Sequence, residues 1–170
     1  MPAAPTVQSS TLNRLTEAWG ITMRDNIILG DSQTALAVSG PSGTPVRHVA
    51  ILGMESDNFS EDDVVTSSLE SINFATAGIL DVAEDASTNI EALVSSTSYA
   101  MPLHSFQFQF LSNPEDLLQA FSPTGERYVV AARLTGSAST AFPDGLEDVE
   151  GEQLMSSDSI SVILVADTDV

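Results

Sequence analysis

Residues 60–69, SEDDVVTSSL, decide the fold class. Ser60 can cap a helix, and Glu61, Asp62 and Asp63 then fill a first turn, where the helix dipole favours anions. Val64, Val65 and Leu69 supply the apolar side. Read this way, the stretch is a helix between two strands. VRHVAILGM, 46–54, precedes it, with a nearly continuous apolar half that suits a strand covered on both faces. SINFATAGIL, 71–80, follows as strand plus turn.

The same alternation extends outward. Leu12, Leu15 and Trp19 fall at i, i+3 and i+7, on one helical face, and Gly20 reads as the C′ residue that ends it. NIIL, 26–29, is a short strand, and SGPSGTP, 39–45, a turn. DVAEDASTN, 81–89, is a polar loop, and IEALVSST, 90–97, fits a helix or a strand. HSFQFQF, 104–110, sets Phe106, Phe108 and Phe110 against two glutamines, a period of two that predicts a half-buried strand or edge ribbon. Asn113-Pro114-Glu115-Asp116 opens a helix, with a cap, proline at the first helical position and then acids. Leu117, Leu118 and Phe121 form its apolar side. RYVVAARLTG, 127–136, is a strand that leaves through the Pro-Asp-Gly turn of TAFPDG, 140–145. An acidic loop, 145–159, leads to a final strand, 160–166. Strands alternating with helices predict an α/β fold: a layered α/β sandwich with a mostly parallel or mixed sheet flanked by helices. Residues 1–10 read as a linker and 11–170 as a single α/β domain.

Composition narrows the function classes. A chain of 170 residues can bury a sizeable core, and the absence of cysteine excludes disulfides and zinc–thiolate sites. Net charge is −19, and all five cations are arginine. No basic cluster exists to neutralise phosphates, so nucleic acid is not an expected partner, and anionic lipid is disfavoured on the same ground. At 42% hydrophobic residues the chain is not a disordered acidic tail. No apolar run is long enough to span a bilayer, and MPAAPTVQSS lacks the basic and apolar regions of a signal peptide.

The candidate chemistry lies at the C-terminal end. SISVILVADTDV, 159–170, is an apolar strand that delivers Asp167 and Asp169. In open α/β sheets, sites form beyond the carboxyl ends of strands, and two carboxylates there can hold Mg²⁺. Such a phosphoryl- or glycosyl-transfer site also wants a lysine and downstream groups, and the chain has no lysine. The structural alternative is that the aspartates cap a strand end. His48 and His104 lie far apart in sequence, and a metal site needs them to converge with a carboxylate. GPSG, 40–43, lacks the spacing of a serine-nucleophile elbow, and the loop around it lacks a phosphate-binding lysine. Asn58-Phe59-Ser60 is a glycosylation sequon as well as a plausible start of a helix. Trp19, Tyr99 and the Phe106–Phe110 stripe are candidates to line a ligand groove, for instance in a carbohydrate-binding module; the alternative is core packing. No cofactor is implied.

Five blocks, in order, resemble the ABC-transporter auxiliary family, which includes gliding-motility-associated proteins. LNRLTEAWGITMRDNIILGD, 12–31, is similar to its short helix, aromatic-Gly-Ile and strand ending in Asp. VVTSSLESINFATAGIL, 64–80, resembles its helix leading to an Ala-Thr-Ala-Gly segment, and ALVSSTSYAM, 92–101, its Thr-Ser block. PTGERYVVAARLTGSASTAFPDG, 123–145, resembles its Gly-x-Tyr strand running to Ala-Phe-Pro, and SVILVADTDV, 161–170, its Ala-Asp-x-Asp strand.

The resemblance implies a non-catalytic, extracytoplasmic α/β domain of an uncharacterised ABC transport system. The larger protein would be anchored by membrane segments outside this chain, on the periplasmic side of the bacterial inner membrane. Its partners would be the permease/ATPase complex or an envelope component. The earlier α/β portion of the family and the stretch after Asp-x-Asp are not matched, so the chain is expected to be an internal piece. If the family's earlier strands are needed to complete the sheet, the open edge is expected to pair with another copy.

Overall fold

The computed structural model describes residues 12–40, 42–109, 111, 113–145 and 153–167. Its architecture is mostly β, and every strand pair is antiparallel. The expected α/β sandwich with a parallel or mixed sheet is therefore wrong. Among the described residues the longest α-helix has six residues, too short to cross over between parallel strands.

The chain opens with α1 (Asn13–Thr16), a 3₁₀ turn through Trp19, and Gly20 at φ 87°. The glycine ends the helix as expected, in a left-handed conformation that favours it. The predicted apolar face is only partly used. Trp19 packs into a core cluster, whereas Leu12 is 58% exposed.

Strands β1 (Ile21–Met23), β2 (Ile27–Asp31), β3 (Ala35–Ser39) and β4 (Pro45–Glu55) follow. Then come β5 (Ser71–Ala75), β6 (Leu80–Val82), β7 (Asn89–Ser95) and β8 (Ala100–His104). Helices α2 (Phe106–Gln109) and α3 (Pro114–Gln119) precede β9 (Val129–Ser139) and β10 (Ser156–Val165).

The strands form three sheets. The largest runs β1-β6-β9-β10, with β7 also on β9. Val129 pairs with Leu80 of β6 and Ser95 of β7, and Leu134 pairs with Ile90 of β7 and Val162 of β10. Hence β7 lies along one side of β9, while β6 and β10 share the other. A second sheet is β3-β4-β5 and a third is the ribbon β2-β8. SGPSGTP makes the β3–β4 turn as expected: Gly40 N–H donates to Thr44 O and Gly43 N–H to Gly40 O.

The stretch 60–69 is not a helix but a series of turns. Asp63 Oδ1 accepts the N–H of Val65 at 2.8 Å, and Thr66 Oγ1 donates to the carbonyl of Ser60 at 2.7 Å. Short polar side chains that bond nearby backbone compete with helix in this way. Of the apolar side expected of a helix, Leu69 packs against the core, whereas Val64 is 85% and Val65 51% exposed. The ambiguous 90–97 resolves as β7 because β9 offers a ladder for it. HSFQFQF is not a strand: β8 ends at His104 and Phe106–Gln109 turn into a helix. Phe108 packs toward the core and Phe106 stays 58% exposed; Phe110 lies outside the described residues. Asn113 caps α3 as predicted, its side chain accepting Glu115 N–H with Pro114 at the first turn. The final strand starts earlier than expected, at Ser156.

Three apolar clusters hold the sheets together. The largest joins Leu29, Leu52, Phe74, Ile79, Leu93 and Val130, one or more from each sheet. Full burial of side chains this large contributes about 1.5–3 kcal/mol each. A second cluster gathers Ile21, Leu80, Leu134 and Trp19. The third seats Leu117, Leu118 and Phe121, from α3 and just beyond it, on Val49 and Leu103.

Residues 76–79, between β5 and β6, tie the sheets at the backbone. Thr76 N–H donates to Ala50 O of β4, Ala77 O accepts Leu29 N–H of β2, and Gly78 N–H donates to Ala166 O past β10. Ile79 O accepts Arg24 N–H, next to β1. Thr76 adopts φ 59° to make this run possible. Gly78 leaves room for Met23, whose sulfur would lie 2.9 Å from an added Cβ.

Candidate interaction site

Asp167, the described member of the candidate metal pair, follows β10 and is half-buried. Its Oδ2 accepts the N–H of Ala75, the last residue of β5, at 3.0 Å. The carboxylate thus fastens the end of one sheet to another, and it is half-buried rather than simply solvated. Asp169 lies outside the described residues. Among the described residues, no three His, Asp or Glu side chains gather closely enough to hold a metal ion.

The two histidines do not form a joint site. His48 stacks on Phe108 and its Nδ1 accepts Ala50 N–H at 3.2 Å, whereas His104 tilts over Phe106. Burial holds His48 below the ordinary imidazole pKa. Asn58 of the sequon is buried: its Nδ2 donates to Ser95 O and its Oδ1 accepts Glu55 N–H. That amide is therefore structural and out of reach of a glycan.

Trp19 and Tyr99 are not brought together as one groove. Trp19 packs among core residues, donates Nε1–H to Ser139 O at 3.2 Å, and accepts the Thr88 hydroxyl on its own carbonyl at 2.6 Å. Tyr99 is 56% exposed, and its backbone, not its ring, is tied down by Ser32 and Thr97.

Several polar anchors escaped the sequence. Asp31 is fully buried, and its two oxygens accept Gln33 N–H, Thr34 N–H, Thr97 N–H and the Thr97 hydroxyl. Its place at the end of a strand resembles that of Asp167, which was the available signal. Asp63 pairs in bidentate fashion with Arg133 of β9 and docks the 60–69 turns on the large sheet. The guanidinium, then the Val65 N–H, hold the Asp63 carboxyl below its ordinary range. Arg24 pairs with Asp81 in the same bidentate way, with both side chains partly in solvent.

One open cleft of about 510 Å³ lies between these turns and β7. Glu61, Asp62 and Arg127 are among its lining residues. Arg127 is held by the carbonyls of Ser96 and Asp57, at 2.8 and 3.0 Å. Phe59 and Leu93 also line the cleft, so it carries both signs of charge beside apolar side chains. Val64 and Val65, which follow Glu61–Asp63 in the chain, are exposed.

This is an antiparallel β domain whose candidate carboxylate and tryptophan serve the fold. The profile of a family described as an ABC-type uncharacterized transport system matches residues 1–170, and the chain belongs to that family. It is an auxiliary component of such a system and associates with it. Comparison with curated proteins and with solved structures returned no match. Among the described residues, no helix is long and apolar enough to cross a membrane.

Proposed function

We propose that this chain is a non-catalytic interaction domain of its ABC transport system, of the gliding-motility-associated type, working outside the cytoplasmic membrane. It contacts the permease/ATPase complex or an envelope component. The observation that carries this reading is the use of Asp167: its carboxylate accepts a backbone N–H from a neighbouring sheet, a structural task. The charge of −19 supports it, since an acidic surface beside anionic lipid stays free for protein partners. The location rests on the five family-like blocks.

The test is capture from detergent-solubilised membranes of cells expressing the full-length protein with an affinity tag. Recovery of the permease and ATPase subunits is expected, together with digestion of this domain by protease added to spheroplasts. Recovery of neither the transporter subunits nor an envelope protein, or protection of the domain until the membrane is broken, overturns the proposal.

A further inference from the structure

Among the described residues, one edge of strand β10 is unpaired. The strand is ten residues long and, among the described residues, pairs with β9 alone. Exposed edge strands are normally blunted by charge, proline or a bulge, because their free N–H and C=O groups recruit other strands. Residues 159–166, SISVILVA, contain neither charge nor proline. The single irregularity in the ladder falls between Ser157 and Ile160 and leaves Ile160–Val165 in regular register.

The direction of the free groups follows from the ladder. Ala166 donates its N–H to Val130 O and accepts Gly78 N–H, so both its polar groups turn toward the β9 side. Backbone direction alternates along a strand. Ser161, Ile163 and Val165 therefore turn their N–H and C=O groups to the open side. The side chains of these three residues are exposed too, Ile163 at 41% and Val165 at 37%. Leu154 and Met155, 80% and 48% exposed, lie just before the strand.

Charge selects the occupant. Asp158 lies at the start of the neutral edge, on a chain of net charge −19. A second copy would bring the same acid and the same net charge. A segment with alternating apolar residues and basic ends would meet the edge with hydrogen bonds and the acidic chain with opposite charge.

We propose that the open edge of β10 receives an extended segment of a partner protein, apolar at alternate positions and carrying arginine or lysine at its ends. The inference rests on the interaction-domain reading above for the source of that segment. The added strand continues the large sheet past Ser161, Ile163 and Val165, and is steered by the acidic surface.

The test uses the chain with three synthetic peptides, RTVTVTVR, ETVTVTVE and the proline-broken RTVPVTVR, followed residue by residue through amide hydrogen exchange. The basic peptide is expected to slow exchange at Ser161, Ile163 and Val165, and to bind about tenfold tighter than the acidic one at low salt. The gap should narrow as salt screens it. Ile163→Pro removes one outward N–H and none that faces β9, so binding should weaken about tenfold while the variant still folds. Asp158→Arg should reduce the preference for basic ends without touching the ladder.

Equal binding of the basic and proline-broken peptides, protection elsewhere, or no binding overturns the proposal. So does a dimeric free chain in which those three amides are already protected. Failure here with successful capture of the transporter subunits removes the edge alone. Peptide binding without that capture removes the transporter reading alone.

Discussion

Replacing Asp167 separates a strand-tying carboxylate from a metal ligand. Asp167→Ala deletes the acceptor of the Ala75 N–H. A hydrogen bond to a charged group contributes about 1.5–3 kcal/mol, and the half-buried position points to the lower end, about 1.5 kcal/mol. In a domain of this size that lowers Tm by about 3–6 °C. Asp167→Asn keeps an amide oxygen as acceptor and loses only the charge, so its cost should stay below about 1 kcal/mol. The assay is thermal unfolding of wild type and both variants, with and without Mg²⁺ or Mn²⁺. Wild type, Asn and Ala should melt in descending order, with the same order in either buffer. A metal site would add about 2.7 kcal/mol at 100 times its Kd, visible as several degrees in wild type alone. A metal-dependent rise abolished in both variants, or Asn melting as low as Ala, would refute the structural role of this carboxylate.

Asp31→Ala strands four donors at a fully buried position and should cost about 3–5 kcal/mol in urea unfolding. Thr97→Val should cost about 1 kcal/mol, because the Thr97 N–H still reaches Asp31; equal losses would deny Asp31 its hub role. Asp63 has a folded-state pKa depressed below its ordinary 3.8, so its stabilisation is complete above that value and lost as pH falls through the folded pKa. Acid titration of unfolding below about pH 4 should be steeper in wild type than in Asp63→Asn, and identical slopes would contradict the pairing with Arg133. Gly20→Ala places a Cβ 2.3 Å from that of Ala86 at φ 87°, and should destabilise by more than about 2 kcal/mol in the same urea assay.

The strands of this fold were legible where apolar runs were long. Residues 46–54, 127–136 and 160–166 all lie largely in β4, β9 and β10. The helix over 60–69 was misread because capping chemistry is ambiguous. An aspartate that can cap a first turn can equally bond its own i+2 N–H and pair with an arginine seventy residues away. Period two in Phe106–Phe110 signalled a strand, yet the ribbon β2-β8 ends at the Ile27–His104 pair and offers no further ladder. Register partners, and hence the antiparallel order, are long-range facts that no local pattern encodes. At the candidate site, the strand delivering Asp167 was visible, but its acceptor role was fixed by Ala75, ninety-two positions away. Asp31 announced itself only as the last residue of a short strand.

The four residues 76–79 bind β4, β2, the end of β10 and the segment after β1, each through its own N–H or C=O. A load applied to one sheet therefore reaches the others through consecutive links of a single backbone segment. Shear that pulled β5 from β6 would have to break these bonds together. A displacement imposed on one of these sheets is therefore passed to its neighbours through residues 76–79 without passing through side chains.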